Sequence, residues 1–418
     1  MRKTTLLVLL IFAMTKIQAQ DYLISFEGTG AAGSVDSVLV ENLTQGTHLT
    51  VYSGNQLHLL GTVSVAEPGS INNLSALMFY PNPSDGEVLV TFEATAAART
   101  TIELSDLTGR QVAEAVSFFA TGLHSFTIGG LNSGTYLVRV KSEHYNYCGK
   151  VICRSTSGNS AQIRLQGPST ATPTPGNLKQ TRAIVVMPYN TGDLLKFTGR
   201  SGIHGTIFMD VPTASKTITF NFIPCIDFDN NSYTIVQIGD QWWMAENLKA
   251  TKYATGDEIP EVTGQANWMG LTTGACCAFD NDPDNALVYG CLYNWYATTD
   301  NRNVCPANWH VPSDSEWIEL TSFLGGEPIA GGKLKETGTV HWFSPNTGAT
   351  NESGFTVIAG GNRSYGNFDF MGYGGSFWST TPLDDIFAWN RDIFYYNTVA
   401  NHSGADKKSG LSVRCVKK

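Results

Sequence analysis

A short segment in the C-terminal half, NWHVPSDSEWIEL at residues 308–320, has the density of polar side chains expected of a catalytic site. A hydrolytic triad would need a nucleophile in a recognisable turn with a histidine serving it. Here His310 precedes a Ser-x-x-Glu pattern, in which Ser313 and Glu316 each accept a hydrogen bond from the other's backbone N–H. The segment therefore predicts a capped helix that ends near Gly325, and it does not predict a hydrolytic triad.

An acidic stretch, FDNDPDNA, could bind a metal ion. Asp280, Asp282 and Asp284 stand at alternate positions, a spacing by which a curved loop can turn hard oxygen ligands onto one calcium ion. The stretch is not an EF-hand, because Asn285 replaces the turn glycine and Cys291 replaces the bidentate glutamate. Two interpretations stay open, a weak calcium site and a solvated acidic loop. Calcium is the one cofactor that the sequence suggests.

A glycine-rich region beyond residue 355 combines aromatic and amide side chains. Aromatic rings could supply the flat apolar face on which a sugar ring stacks, and amide and guanidinium groups could bind hydroxyls. The alternative is that the tryptophans are core anchors. The predicted ligand-binding residues are Trp378, Asn362, Arg363, Tyr365, Asn367 and Trp389, with Phe368 and Tyr373 nearby in sequence.

The chain has eight cysteines. They lack a CxxC pair and cysteine–histidine pairs at zinc spacing, which favours disulfides over zinc. Cys148 and Cys153 are close enough in sequence to bridge each other. Cys291 is predicted to bridge to Cys276 or to Cys277, since those two adjacent residues cannot easily pair with each other.

The N-terminal segment and the net charge exclude several classes of protein. Arg2 and Lys3 precede an apolar run and a polar stretch ending at Ala19, which is typical of a cleaved signal peptide and too short for a membrane span. The formal charge of −9 disfavours nucleic acid and anionic headgroups as partners. The expected protein is secreted or on the cell surface, does not span a membrane, and binds neutral glycans or other proteins.

Short β-branched and aromatic runs between glycine and polar turns predict a mainly β, multidomain protein. All nine tryptophans follow residue 240, so a compositional boundary falls near Cys225. The strands predicted at residues 183–224 could complete the sheet that begins in the segment at residues 21–68. The predicted segments are a signal peptide (1–20), an N-terminal β segment (21–68), a β-sandwich (69–154), a linker (155–182), a β segment (183–224) and an α+β region (225–418).

Three stretches of the predicted β-sandwich carry a family resemblance. The sequences YPNP at residues 80–83 and GLNSGTYLVRV at residues 130–140, with the turn DLTGR between them, resemble the C-terminal sorting domain of the type IX (Por) secretion system of Bacteroidetes. The resemblance implies a β-sandwich and export. Such a domain normally ends its chain, whereas more than 260 residues follow it here, so a spacer or adhesive role is an alternative to sorting.

The region after residue 225 resembles the Fibrobacter succinogenes major paralogous domain in six ordered motifs, including YGCLYNWYA, CPANWHVPSDSEWIEL and GLSVRCVKK. WHVPSDSEW, GNRSYG and GSFWSTT are also similar to the C-type-lectin-like fold of formylglycine-generating enzymes. That likeness implies an α+β domain whose first and last strands meet and whose long loops form one face. By the same analogy, Cys305 and Cys415 would form a core disulfide.

Together these features predict an exported, non-enzymatic protein: N-terminal β-sandwich modules followed by an α+β C-type-lectin-like domain that binds a glycan or a cell-surface protein. One alternative is a formylglycine-generating-enzyme-like oxidase, cofactorless or copper-dependent, which would need a free cysteine of low pKa. Another is a purely structural envelope component.

Overall fold

The structure is a computed structural model that describes residues 21–61, 77–80, 82–84, 86–94, 96–119, 122–154, 161–165 and 184–417. The predicted signal peptide lies outside the described residues, as does most of the predicted linker. The chain divides into two compact units, of which unit 1 comprises residues 1–63 and 180–418 and unit 2 comprises residues 64–179. Strands predominate in both, which confirms the prediction of a mainly β, multidomain protein.

The part of the chain before residue 225 is built from strands. They are β1 (Asp21–Gly30), β2 (Ser37–Asn42), β3 (Thr47–Tyr52), β4 (Gln56–Gly61), β5 (Met78–Tyr80), β6 (Glu87–Ala94), β7 (Ala98–Asp106), β8 (Gln111–Phe119), β9 (Gly122–Gly129), β10 (Gly134–Lys141), β11 (Asn146–Cys153), β12 (Gln162–Leu165), β13 (Ile184–Tyr189), β14 (Leu195–Ser201), β15 (His204–Asp210) and β16 (Lys216–Phe222).

The part after residue 225 mixes strands with short helices. The strands are β17 (Thr234–Ile238), β18 (Gln241–Met244), β19 (Cys276–Cys277), β20 (Leu292–Tyr293), β21 (Gly360–Ser364), β22 (Asn367–Met371), β23 (Gly374–Pro382), β24 (Phe387–Phe394), β25 (Ala400–Asp406) and β26 (Val416–Lys417). The helices are α1 (Gln265–Met269), α2 (Pro283–Tyr289), α3 (Trp295–Thr298), α4 (Asp314–Phe323) and α5 (Glu327–Leu334).

Unit 2 is a sandwich of two four-stranded sheets, with strand orders β11-β10-β7-β8 and β12-β9-β6-β5. Its strands alternate between buried and exposed residues, as the two-residue period of a strand dictates. Val138 and Ile102 of one sheet share a buried core with Val90 and Phe126 of the other. Strand β12 pairs with β9 inside the interval that was predicted to be a linker, because Ile163 supplies an apolar side chain to this core.

In unit 1, strands from both sides of unit 2 in the sequence form common sheets. Strand β13 pairs with β4 and β16 pairs with β1, both in parallel register, in a four-stranded sheet of order β13-β4-β1-β16. A second sheet has seven strands in the order β26-β18-β17-β15-β14-β2-β3. This sheet crosses the compositional boundary near Cys225, so the residues on the two sides of that boundary share backbone pairing.

The C-terminal part of unit 1 is organised by a five-stranded sheet of order β22-β21-β23-β24-β25. Phe377 and Trp378, adjacent on β23, enter two different apolar cores because successive side chains of a strand point to opposite faces. Helix α4 packs Trp317 and Leu320 into the core that contains Phe377. No helix among the described residues has the length and apolar character needed to cross a bilayer.

Candidate functional site

The histidine-containing segment is the capped helix that its sequence predicts. Ser313 Oγ accepts from the backbone N–H of Glu316 over 3.3 Å, and Glu316 Oε2 accepts from that of Ser313 over 2.8 Å. His310 Nε2 lies 2.8 Å from Glu316 Oε1. Burial opposes ionisation of Glu316, but hydrogen bonds from His310 and Ser313 outweigh it and lower the pKa of this carboxyl to about 2. These side chains therefore stabilise the start of α4.

Trp378, predicted as a ligand platform, is a core residue. Its side chain is fully buried, and its indole Nε1 donates to the carbonyl of Tyr293 over 2.7 Å. The structure corrects the prediction because both faces of the five-stranded sheet are covered at this position, which leaves no ring face for a ligand.

Arg363 is also structural. Its guanidinium donates to the carbonyls of Val262 and Thr263, at 2.6 and 2.7 Å, and lies 4.4 Å from the centroid of the Trp268 ring. With 1% of its surface exposed, it joins the β21–β22 hairpin to the segment before α1 and is not accessible to a ligand.

The other predicted ligand residues do not converge on one surface. Tyr365 and Asn367 lie at the exposed turn of the β21–β22 hairpin, and Asn362 lies partly buried within it. Trp389 lies on β24, its ring centroid 4.0 Å from that of His402. Because its neighbour Asn390 pairs with Trp378 across the sheet, Trp389 points to the opposite face from Trp378.

The three aspartates of the acidic stretch do not form a cation site. Asp280 belongs to a 3-10 turn at Phe279–Asn281, while Asp282 caps α2 by accepting from the backbone N–H of Asp284 over 3.0 Å. Among the described residues, no group of three His, Cys, Asp or Glu side chains could hold a metal ion. Pro283 starts α2, so Asp282 and Asp284 lie at the N-terminal end of this helix, where the helix dipole favours carboxylates.

One of the predicted disulfides is present, between Cys305 and Cys415, with an S–S distance of 2.07 Å. Cys276, Cys277 and Cys291 are buried and form no disulfide in the structure, so the predicted bridge to Cys291 is absent. Cys276 and Cys277 project from opposite faces of β19 into different cores. Burial raises the pKa of Cys276, that of Cys277 to about 11 and that of Cys291 to about 12.

The predicted bridge within β11 is absent as well. Cys148 is exposed, whereas Cys153 is buried and its thiol donates to the carbonyl of Leu131 over 3.6 Å. The two residues are five apart on one strand, so their side chains point to opposite faces and cannot meet.

A different group of side chains forms an exposed apolar surface, which we call the aromatic surface. Its six rings contact one another in series: Phe370 with Phe394, Phe394 with Tyr396, Tyr396 with Tyr395, Tyr395 with Tyr373, and Tyr373 with Phe343. Phe343, Phe370, Tyr373 and Tyr396 are 49, 48, 45 and 55% exposed.

Backbone hydrogen bonds fix the relative positions of these rings. Phe343 N–H donates to the carbonyl of Gly372 over 2.8 Å, and Tyr395 N–H donates to that of Tyr373 over 3.0 Å. The Phe343 and Tyr373 rings meet edge to face, 4.9 Å apart and at 87°, a geometry that aromatic quadrupoles favour. Gly372, at φ +78°, leaves room for the Phe343 ring, which a Cβ would approach to 3.1 Å.

Beside this surface lies a buried cation. Lys335 is fully buried, and its ammonium donates to the carbonyls of Thr347, Phe394 and Asn397 at 2.8, 3.1 and 2.8 Å. Two of these carbonyls bracket the segment that carries the Phe394, Tyr395 and Tyr396 rings. Burial lowers the pKa of Lys335 to about 8.

The chain is thus a mainly β, multidomain protein whose C-terminal part exposes a fixed cluster of aromatic rings. Residues 236–417 match the family model of the Fibrobacter succinogenes major domain. Residues 78–154 match the family model of the secretion system C-terminal sorting domain, which indicates a secreted or cell-surface protein. Both predicted resemblances are confirmed for these residues. No curated protein matches the chain.

Proposed function

We propose that this exported protein is a non-enzymatic recognition protein that binds neutral glycans through the aromatic surface. The observation that carries the proposal is that four rings of the contacting series, those of Phe343, Phe370, Tyr373 and Tyr396, are each about half exposed. Contiguous exposed apolar patches on folded proteins mark interaction sites. The backbone of these rings is held by hydrogen bonds, so little conformational freedom is lost on binding.

The chemistry of the rings favours a sugar. A pyranose ring has an apolar face of C–H groups, and these carry the partial positive charge that the negative face of an aromatic ring attracts. Tyr373 and Tyr396 add hydroxyl groups that can bind sugar hydroxyls at the rim. The net negative charge of the chain, −9, opposes anionic glycans at long range.

The proposal includes a C-type-lectin-like fold for the C-terminal part. In support, β26 pairs with β18, so strands near the two ends of this part meet. The five-stranded sheet and helices α4 and α5 give it the expected α+β character, and the Cys305–Cys415 disulfide implied by the likeness is present.

The thiol environments support a non-enzymatic function over an oxidase related to formylglycine generation. Such an oxidase needs an accessible thiolate. Cys276, Cys277 and Cys291 are buried, and burial raises the pKa of each. A purely structural envelope component is the other alternative, and the binding experiment separates it from the proposal.

The test is binding of the full secreted chain to a broad glycan array, with Tyr373→Ala and Tyr396→Ala as variants. The matched controls are Tyr365→Ala, an exposed tyrosine on the β21–β22 turn, and Phe118→Ala, an exposed phenylalanine of unit 2. We expect selective binding to neutral glycans, about tenfold weaker in each test variant and unchanged in the controls. We also expect the same signal with calcium and with a chelator.

Two results would contradict the proposal. Loss of binding in Tyr365→Ala alone would place the glycan site at the β21–β22 turn and not at the aromatic surface. Absence of any glycan signal from a chain with native circular dichroism would favour a structural or protein-binding role.

A further inference from the structure

A second concave site lies in unit 1, where the seven-stranded sheet passes from the N-terminal strands to the C-terminal part. Strands β15 and β17 pair over only three residues each, Gly205–Ile207 with Thr234–Val236. Beyond Ile207 and Val236 the two strands no longer pair, and Gln237 and Ile238 continue only in the ladder with β18. A groove of about 470 Å³ lies between β15, β16, the β17–β18 turn and the end of α4. We call it the junction groove.

Aromatic side chains form part of its wall. Phe323 and Phe208 are 64 and 38% exposed, and Trp242 is partly exposed. Gly239, at φ +61° in the β17–β18 turn, allows the Phe323 ring to lie against the backbone, since a Cβ would stand 3.1 Å from that ring. The Phe323 ring is therefore exposed to the groove while it lies against a turn whose glycine leaves room for it.

Neutral polar groups complete the wall. Gln237 pairs with Trp242 across the β17–β18 hairpin, so its amide lies beside the indole on the same face. Asn221 and Thr219 are exposed on β16. Rings next to amides and hydroxyls are the combination that binds a ligand with both apolar C–H faces and many hydroxyls.

The groove is close to electrically neutral. Its two charged lining side chains, Lys333 and Glu352, pair with each other at 2.7 Å. No unpaired lining charge is left to balance an anionic or cationic ligand. The volume lies in the range of roughly 300–1,000 Å³ that small-molecule sites occupy.

An extended peptide that adds to a strand edge is excluded as the occupant between β15 and β16. Thr206 Oγ1 donates to the carbonyl of Asn221 over 3.0 Å at one end of the strand pair, and Lys216 pairs with Asp210 at 2.6 Å at the other. A third strand between them would require a separation of about 9–10 Å, twice the strand spacing.

From these observations we infer that the junction groove is a binding site for a neutral oligosaccharide, separate from the aromatic surface. Phe323 and Trp242 supply stacking faces, and Gln237 and Asn221 supply hydrogen bonds to hydroxyls. The inference concerns a second site for the same class of ligand, away from the aromatic surface, and it can hold whichever way the test of that surface falls.

The experiment uses the full secreted chain and isothermal titration with neutral hexasaccharides of glucose, mannose and N-acetylglucosamine. Titrations are repeated in a Tyr373→Ala/Tyr396→Ala background, which removes rings of the aromatic surface. We expect this background to retain one site per chain, with an affinity that falls about tenfold when Phe323→Ala is added and severalfold when Gln237→Ala is added.

Glycine variants give a matched control. Gly239→Ala places a methyl group against Phe323 and should weaken binding, whereas Gly202→Ala, at φ +55° with no atom within 4 Å of its Cβ, should carry similar backbone strain without changing affinity.

Several outcomes would overturn the inference. If the background binds no hexasaccharide while the wild type does, the aromatic surface is the sugar site and the groove is not. If binding by the background is unchanged by Phe323→Ala and Gln237→Ala, the remaining site lies elsewhere. Saturable binding of an alternating Thr-Val octapeptide that Phe323→Ala abolishes would assign the groove to a peptide. One outcome, in contrast, would support the groove and contradict the aromatic surface: loss of all binding by Phe323→Ala in the wild type, with the Tyr373 and Tyr396 variants unaffected.

Discussion

The ammonium of Lys335 donates a hydrogen bond to the carbonyl oxygen of Phe394 over 3.1 Å, and it donates to that of Asn397 over 2.8 Å. A cation removed from water is costly unless hydrogen bonds replace its hydration. Here the replacement hydrogen bonds come from the two ends of the segment that carries the rings of Phe394, Tyr395 and Tyr396. The geometry of the aromatic surface is therefore tied to a charge in the interior.

Replacing this lysine should destabilise the protein. Lys335→Met leaves the carbonyls of Thr347, Phe394 and Asn397 without their donor, at a cost of roughly 2–4 kcal/mol. Urea unfolding of the variant measures it, and glycan binding should weaken in parallel. Lys408→Met, which removes one hydrogen bond to the Met269 carbonyl at the surface, is the control and should change the unfolding free energy by no more than about 0.5 kcal/mol. Equal effects of the two substitutions would contradict the proposed role.

The contribution of Lys335 should depend on pH in a definite direction. Its folded pKa of about 8 lies below the value of about 10.4 for an unfolded chain, so between these values the unfolded state binds more protons. The contribution of this lysine to stability therefore rises as pH increases from about 8 to about 10. The difference in unfolding free energy between wild type and Lys335→Met, measured across this window, should grow. A constant or falling difference would show that folding does not lower the pKa of Lys335.

Gly372→Ala should disturb the aromatic surface directly. The added methyl group would approach the Phe343 ring to 3.1 Å, so the ring must move. Gly338 has a similar φ of +81° but no atom within 4 Å of its Cβ, so Gly338→Ala reports the strain of the left-handed backbone alone, about 1 kcal/mol. We expect Gly372→Ala to lose at least as much stability as Gly338→Ala, and only Gly372→Ala to lose glycan affinity. Unaltered glycan affinity in Gly372→Ala would show that the Phe343 ring does not take part in binding.

The cap of α4 should weaken in acid. Glu316 has a folded pKa of about 2 against about 4.3 unfolded, so its stabilising contribution is complete above about pH 4.3 and is lost as pH falls towards 2. Glu316→Gln should therefore cost about 1–2 kcal/mol at pH 7 and progressively less below pH 4. Thermal unfolding at pH 7 and pH 2.5 tests this, with Glu258→Gln, an exposed carboxylate, as control. A cost independent of pH would mean that charge plays no part in the cap.

Thiol labelling separates recognition from oxidation chemistry. Cys148 is exposed, whereas Cys153, Cys225, Cys276, Cys277 and Cys291 are buried. Iodoacetamide at pH 8 should label Cys148 within minutes and the other five only after unfolding, as read by peptide mass spectrometry. Rapid labelling of Cys276, Cys277 or Cys291 in the native protein would revive the oxidase alternative, because it would reveal an accessible thiolate.

The fold was predictable from the sequence wherever local rules decide it. The cap at Ser313 follows from residues three apart, and the alternation within strands follows from a two-residue period. The sharing of one sheet across Cys225 was not visible, because strand pairing between distant segments leaves no local pattern. Asp282 and Asp284 lie at the start of α2, a position that competes with metal binding for the same carboxylates. The spacing of the aspartates in the sequence does not distinguish a helix start from a metal site.

The candidate site was less predictable, for a physical reason. Trp378 and Tyr373 are only five residues apart, yet one fills a core and the other is about half exposed, because Trp378 lies within β23, where both sheet faces are covered, whereas Tyr373 lies in the turn between β22 and β23. The aromatic surface assembles residues from three separated segments. The run Phe394-Tyr395-Tyr396, which spans the end of β24 and the turn after it, was its one signal in the sequence.

The seven-stranded sheet has a consequence for the timing of folding. It contains both β2, which ends at Asn42, and β26, which begins at Val416. At about 5–20 residues per second, roughly 20–75 s of synthesis separate these strands. In the later part of that interval, after β18 has ended at Met244, the edge of β18 that β26 will occupy is unpaired, and unpaired strand edges are prone to aggregation. A newly made chain therefore cannot complete this sheet until Val416 and Lys417 have been synthesised.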